Sequence, residues 1–134
     1  MLYCLDTNII IDILRGDEAL RSSVENAINK RNTLCINPIV LSELFKGAYL
    51  AEKSHEAVEL VEDFMNGVEL LDFNEQACRI FGQRYTELKR RGKQTQEADL
   101  MIGAISLAHN AVLVTRNEKD FINIFGLKIE TWQN

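Results

Sequence analysis

The feature that most constrains this fold is a repeated order of short apolar runs and longer stretches with helical periodicity. Runs that lack apolar–polar alternation are typical of strands covered on both faces of a parallel sheet. Parallel strands joined by helices need crossover connections, which place helices on both sides of the sheet. We therefore predict an α/β fold, a three-layer α/β/α sandwich with a mostly parallel sheet of four to five strands. The runs cover 2–5, 33–37, 68–72 and 111–115, and 127–130 is expected to be an edge strand.

Helical periodicity fills the intervals between these runs, and glycine, proline and capping residues mark the expected helix ends. Gly16 is expected to end the first helix. Pro38 fits the first turn of the third helix, where its missing N–H costs nothing. Ser54 and Asn74 are placed to cap the fourth and fifth helices. The predicted helices cover about 7–16, 17–31, 39–53, 54–67, 74–92 and 98–108, with a short helix at 117–121.

Length and composition indicate one ordinary globular domain over residues 1–134, with 46% hydrophobic and 26% charged residues. No apolar run approaches the roughly 20 residues that cross a bilayer, and no signal peptide is recognisable. We therefore expect a cytoplasmic protein without a membrane partner. The net charge of −5 argues against tight binding of nucleic acid by bulk charge alone. A phosphate substrate would need a local basic patch or a metal ion.

The cysteine and histidine residues do not form a recognisable metal or disulfide pattern. Cys4, Cys35 and Cys78 are widely spaced among apolar neighbours, which predicts buried free thiols in a reducing compartment. His55 and His109 lie far apart and have no Cys or His at ligand spacing. A structural zinc site is therefore not expected.

Two acids occupy positions that suggest a ligand role. Asp6 ends the first strand, at the edge where open α/β sheets place their ligand crevices. Its ordinary role would be to cap the next helix through the amides of Asn8 and Ile9. The two roles are compatible only if one carboxylate oxygen stays free. Glu43 lies beside the apolar stripe of the third helix, where the ordinary alternative is a surface ion pair with Lys46.

Two further acids lie near the ends of predicted elements. Asp99 falls in the first turn of the sixth helix, where acids commonly offset the helix dipole. Asp120 follows Asn117 at the spacing of an N-cap and its third helical residue, which favours a local cap contact. Asn117 and Thr115 lie just beyond the fourth strand, so they are better placed than Asp120 for the crevice.

The acids can be gathered by folding into one place. Asp6 lies at the edge of the sheet, and the helices that carry Glu43 and Asp99 can pass over that edge. Three carboxylates in a site of low dielectric would repel one another strongly. The sequence offers no obvious buried lysine or arginine trio to neutralise them, so a hard divalent cation is expected. Oxygen ligands favour Mg²⁺, with Mn²⁺ as the alternative.

Four stretches of the chain resemble one family in their order and spacing. They are LDTNI at 5–9, SEL at 42–44, EADLMI at 97–102 and VTRNEKDF at 114–121. These stretches resemble PIN-domain ribonucleases, and most of all the VapC-type toxins of bacterial toxin–antitoxin pairs. The resemblance covers essentially the whole chain and implies a PIN-like fold and a Mg²⁺-dependent endoribonuclease. It also implies that Asp6, Glu43 and Asp99 hold the metal and that the Thr115 hydroxyl helps to order the site.

The chain departs from the family pattern at one position. Many PIN domains carry a fourth acid where this chain has Asn117, and Asp120 is a possible substitute. An amide can orient water but adds no negative charge, which puts a second tightly bound metal in doubt. The alternative function is therefore a catalytically weak PIN-like module that binds RNA or protein without cutting it.

Substrate and partners are expected from the resemblance and from charge. The family resemblance implies an RNA substrate, with transfer RNA as one candidate, a cognate VapB-like antitoxin and a homodimer. The helices between Pro38 and Gly67 could leave an apolar groove for a partner helix. A basic rim around the acidic centre is the expected RNA contact, although the cluster at 89–91 could equally be a charged helix end. The candidate rim residues are Lys46, Lys89, Arg90, Arg91 and Arg116.

Overall fold

The computed structural model describes residues 1–132, so the last two residues of the domain predicted over 1–134 lie outside the described part. Strands and helices alternate as the sequence predicts. A short 3₁₀ helix, η1, covers Glu118–Asp120. The strands are β1 Leu2–Leu5, β2 Thr33–Ile36, β3 Glu69–Leu70, β4 Val112–Val114 and β5 Ile129–Glu130. The helices are α1 Thr7–Leu14, α2 Glu18–Asn29, α3 Pro38–Leu50, α4 Ser54–Met65, α5 Glu75–Arg90 and α6 Glu97–Ala108.

The five strands form one sheet in the order β3-β2-β1-β4-β5, and every neighbouring pair is parallel. Helices cover both faces of this sheet. Cys4 and Cys35 belong to a cluster with Ile105 of α6, whereas Leu34 on the opposite face packs in a cluster with Leu20 of α2. The three-layer α/β/α fold is therefore confirmed. The outer strands β3 and β5 are only two residues long, shorter than the predicted runs.

The strand order places a switch point beside β1. The chain runs from β1 outward to β2 and β3 on one side, then returns to build β4 and β5 on the other. In open α/β sheets, ligands bind outside the carboxyl ends of the two strands at such a point. Asp6 directly follows β1 and Thr115 directly follows β4. Both candidate site residues therefore lie at the crevice that the topology creates.

The helix ends are explained by local chemistry, with two corrections. Gly16 and Gly92 adopt the left-handed backbone (φ +94° and +68°), which ends α1 and α5 at low cost. The Asn74 side chain caps α5 by accepting from the Ala77 amide at 2.9 Å. Ser54 is not an N-cap but the first residue of α4, whose cap position makes no side-chain hydrogen bond. Helix α3 ends at Leu50, three residues before the predicted end.

The cysteine prediction is correct at two of three positions. Cys4 and Cys35 are fully buried, and burial raises the pKa of the Cys4 thiol to about 12 and that of the Cys35 thiol to about 11. Both thiols are therefore neutral and unreactive. Cys78 is exposed on α5, contrary to the expectation from its apolar neighbours. No helix within residues 1–132 is long and apolar enough to span a membrane.

Candidate active site

Asp6 is held at the centre of the site by its neighbours on both sides of the switch point. Its side chain is buried, and its backbone amide extends the β1–β4 ladder by donating to the Val114 carbonyl at 2.9 Å. The Thr7 amide donates to Asp6 Oδ1 at 2.8 Å, and the Thr115 hydroxyl donates to Asp6 Oδ2 at 2.7 Å. These contacts fix the orientation of the carboxylate.

The expected cap at Asp6 forms, but through a different amide. The donor is Thr7, not the predicted Asn8 or Ile9. Each carboxylate oxygen accepts one hydrogen bond and keeps a second lone pair, so neither needs to be free of partners to bind a cation. Burial raises the pKa of Asp6, the hydrogen bonds from Thr115 and Thr7 oppose this effect, and the charge of Asp120 adds to it.

Thr115 connects Asp6 to the loop that follows β4. It is fully buried, and its hydroxyl oxygen accepts a hydrogen bond from the Asn117 amide at 3.0 Å while its proton points to Asp6. A single hydroxyl therefore orders both the carboxylate and the start of the loop. This geometry matches the ordering role that the family resemblance implies for Thr115.

Glu43 approaches the site from α3. Its exposed carboxylate accepts a hydrogen bond from the Thr7 hydroxyl at 2.8 Å, which ties α3 to the first residue of α1. The alternative ion pair with Lys46 does not form among the described residues; Lys46 is an exposed residue one turn further along α3. Thr7 thus contacts Asp6 through its amide and Glu43 through its hydroxyl.

The pKa of Asp99 is raised by burial and by the charges of three other acids. It lies half-buried in the first turn of α6, as the sequence predicts. Burial is the main cause that raises its pKa to about 6, and the charges of Asp120, Asp6 and Glu43 raise it further. An acid this perturbed by burial and by like charges marks a candidate functional site. Asp99 and the three acids whose charges act on it are referred to as the acid cluster.

Asp120 contributes to this cluster instead of capping its own helix. No side-chain cap bond forms at Asn117, so the predicted local contact is wrong. The Asp120 backbone N–H donates a hydrogen bond to the Asn117 carbonyl at 2.9 Å. The Asp120 carboxylate is exposed and does not take part in this bond. Besides burial, the charge of Asp120 helps to raise the pKa of both Asp6 and Asp99.

The side chains of the acid cluster suit a hard cation in their chemistry, although they do not lie close enough together to form a compact ligand set. Asp6, Glu43, Asp99 and Asp120 offer only carboxylate oxygens, which favour Mg²⁺ or Mn²⁺ over softer metals. Within residues 1–132, no three acidic, thiol or imidazole groups lie close enough together to form a ready ligand set. The oxygen chemistry of the donors nevertheless fits a divalent cation.

The predicted basic rim is only partly assembled. The Arg116 guanidinium forms ion pairs with Asp12 at 2.7 Å and Asp17 at 3.2 Å, so it holds the post-β4 loop against α1 and the start of α2. Arg91 donates to the Asn123 carbonyl at 3.3 Å. Lys89 lines a cavity beside the first turn of α6, whereas Arg90 lines a separate depression on α5. Lys46, as described above, is exposed on α3.

Three structural residues were missed by sequence reasoning. The sequence places Thr7 only at the start of a helix and does not predict the ion pairs of Asp12 and Asp17. Their partners lie far away in sequence, at Glu43 for Thr7 and at Arg116 for the two acids. The one available signal was the position of Thr7 directly after Asp6, since the first helical residue can direct its side chain over the same edge.

Comparisons with known proteins show the family to which the chain belongs. The PIN domain family model matches residues 3–125. "Ribonuclease VapC2" of Rickettsia felis is 34% identical, with 98% of each chain covered. "tRNA(fMet)-specific endonuclease VapC" of Shigella flexneri is 30% identical, with 97% of each chain covered. The solved structure of VapBC2 from Rickettsia felis bound to a promoter DNA fragment superposes with a TM-score of 0.92 at 32% identity, covering 99% of this chain and 100% of that one. The chain belongs to the PIN-domain family, and its relatives there are VapC ribonucleases.

Proposed function

We propose that this chain is a metal-dependent endoribonuclease toxin of a VapBC-type pair, which hydrolyses RNA phosphodiester bonds and is neutralised by a VapB-like antitoxin. The observation that carries the proposal is the buried Asp6 carboxylate, which Thr7 and Thr115 hold at the switch point of the sheet. Its charge acts on Asp99, whose pKa is raised mainly by burial. The names of the relatives support the activity, and one of them supports transfer RNA as the substrate class.

In this proposal, Asp6 and Asp99 hold a Mg²⁺ ion, with Glu43 as a third ligand or as the group that accepts a proton from the attacking water. Mn²⁺ is the expected alternative ion. When bound, the cation supplies positive charge that offsets the charge developing on the phosphate. Thr115 fixes the Asp6 carboxylate in the orientation that the reaction needs, because a ligand displaced by about 1 Å can cost 10²-fold in rate.

The amide at Asn117 supports a second candidate, a module that binds RNA or protein without cutting it. The charge of Asp120 on Asp6 and Asp99 favours the enzyme instead, because it restores a fourth acid to the cluster. Metal-dependent cleavage by the purified protein distinguishes the two candidates.

The deciding experiment measures cleavage of end-labelled transfer RNA with Mg²⁺, with Mn²⁺ and with chelator. We expect Asp6→Asn and Asp99→Asn each to reduce cleavage by at least about 10²-fold, since each removes one charged ligand. Asp63→Asn on the exposed surface of α4 is the matched control. Cleavage that persists in both site variants, or in chelator, would reject the metal-dependent nuclease.

The groove between α1, α3 and α4 is the proposed docking site of the antitoxin. Its volume is about 260 Å³. Its lining is mainly apolar, with Glu43 of the acid cluster at one side, so an amphipathic helix seated there would also cover the site. The lining includes Ile11, Leu14, Leu44, Ala57 and Leu60. A homodimer is expected from the family resemblance and can be tested by sedimentation of the purified chain.

A further inference from the structure

A second concave surface lies beside the first turn of α6. It is a cavity of about 620 Å³ between the end of α5, the loop 91–96 and the start of α6. This volume falls in the range of pockets that bind small ligands, about 300–1,000 Å³. Glu97 and Leu100 of its wall belong to the first turn of α6, which also carries Asp99, although Asp99 itself does not line the cavity. The cavity and the acid cluster therefore share this turn of α6.

The charge of this cavity is opposite to that of the whole chain. Lys89 and Lys93 line it, and Glu97 is the single acid in its wall. Among residues 1–132, neither lysine forms an ion pair, so both ammonium groups are available to a ligand. In a protein with a net charge of −5, a wall with more cations than anions indicates an anionic ligand.

The wall also offers groups that recognise a base. Tyr85 is 44% exposed. Its ring stacks on that of Phe81, with the centroids 6.2 Å apart and an interplanar angle of 29°, so this contact restricts the position of the Tyr85 ring. An exposed, supported aromatic ring is a platform on which an unpaired base can stack. The Gln94 and Gln96 side chains add amide donors and acceptors at the same wall.

We propose that this cavity binds one unpaired nucleotide of the RNA next to the nucleotide that is cut. Lys89 and Lys93 contact its phosphate, and Tyr85 stacks on its base. The assignment rests on the proposed nuclease function and refines the predicted basic rim. The proposed RNA contact keeps Lys89 and adds Lys93 and Tyr85. It excludes Arg90, which lines a separate depression beside Cys78 and Arg79.

The first test measures binding of a short fluorescent single-stranded RNA by anisotropy, in chelator and at several salt concentrations. Lys89→Ala with Lys93→Ala is expected to weaken binding by about tenfold or more and to flatten the salt slope by about one to two. Arg90→Ala is the matched control, since it removes a neighbouring positive charge outside the cavity. Equal losses in the two proteins, or no binding by the parent, would overturn the assignment.

The second test separates stacking from charge. Tyr85→Ala is expected to weaken RNA binding by about fivefold or more, whereas Tyr85→Phe keeps the ring and binds like the parent. Tyr49→Ala, at an exposed tyrosine on α3, is the control. Tyr85→Ala that matches Tyr49→Ala overturns the base contact. A poly-glutamate peptide that competes as strongly as RNA of equal length would overturn the choice of a nucleotide.

The two proposals can fail separately. If the parent cleaves RNA with Mg²⁺ and the lysine variant binds as well as Arg90→Ala, the cavity assignment alone is wrong. If the parent binds RNA with the expected variant pattern but does not cleave it under any divalent ion, the nuclease proposal is wrong and the nucleotide site stands.

Discussion

Asp99 shows how the proposed site conflicts with stability. Its folded-state pKa of about 6 lies above the ordinary value of 3.8, so the folded protein holds this proton more tightly than the unfolded chain does. The protonated carboxyl contributes its full stabilisation below about pH 4, near the pKa of the unfolded chain. This contribution is lost as the pH rises from about 4 to about 6, and above about pH 6 the folded protein carries the full penalty of the ionised carboxylate. A residue placed for stability alone would not carry this penalty.

Replacing this charge should stabilise the metal-free protein. We expect Asp99→Asn to raise the Tm at pH 7.5 in chelator by about 3–5 °C, on the order of 1 kcal/mol after allowing for partial exposure and the lost dipole contact. At pH 4 the variant and the parent should melt together. Thermal melts at both pH values test this expectation. Glu97→Gln in the same helical turn is the control, and an equal fall in Tm for both variants would contradict it.

Asp120 is the residue that should replace the family's fourth acid. Its charge acts on Asp6 and Asp99, whereas the contact of Asn117 with the Thr115 hydroxyl comes from its backbone N–H. We expect Asp120→Asn to weaken Mg²⁺ binding by about tenfold, within the range for groups that support metal ligands. Asn117→Asp should strengthen it. Calorimetric titration with Mg²⁺ measures both effects. An unchanged Mg²⁺ affinity in Asp120→Asn would show that Asp120 does not contribute to the metal site.

At the scale of elements, most of the site is delivered by the ends of helices and strands. Asp6 follows β1, Thr115 follows β4 and Asp99 lies in the first turn of α6. These positions were predictable because apolar runs mark the strands and glycine residues mark the ends of helices in the sequence. The helix boundary at Ser54 was wrong because capping residues also occupy first turns. The cap contact at Asp120 was wrong because η1 is too short to form a regular α-helical first turn.

The Arg116 ion pairs fix the loop after β4 to helix α1 and to the start of helix α2. They hold the loop between Thr115 and Asn117 against Asp12 of α1 and against Asp17, the N-cap of α2. The Leu20 amide is the main cause that lowers the pKa of Asp17, and the Arg116 guanidinium lowers it further. From this arrangement we propose that Arg116 positions the loop; its predicted contact with RNA is the alternative role.

Breaking this link should slow cleavage without weakening RNA binding. We expect Arg116→Met to lower kcat by about tenfold at an unchanged KM, because the loop loses its fixed position. Arg116→Lys should not rescue it, since one ammonium cannot bridge two carboxylates as a guanidinium does. Steady-state kinetics on transfer RNA test this, with Arg79→Met at the exposed Arg79–Glu75 pair as control. A raised KM with normal kcat would restore the RNA-contact role.

At the scale of the whole molecule, the fold was predictable and the contacts between distant residues were not. The parallel sheet follows from the order of the apolar runs, and the switch point follows from the strand order. The bond between Thr7 and Glu43 joins residues 36 positions apart, and that between Thr115 and Asp6 joins residues 109 apart. No periodicity encodes such pairs, because they depend on side-chain rotamers at the assembled edge.

The proposed antitoxin groove makes the last prediction, which concerns the assembled pair. Leu60 lines the groove and is 49% exposed, so a charge there disturbs docking more than folding. We expect Leu60→Glu to weaken the complex with a cognate VapB-like antitoxin by at least about tenfold, since burying an unpaired carboxylate is costly. Leu50→Glu, at an exposed leucine outside the groove, should bind normally. Titration calorimetry compares them, and RNA cleavage by free Leu60→Glu should equal that of the parent. Normal antitoxin affinity in Leu60→Glu would move the docking site to another face.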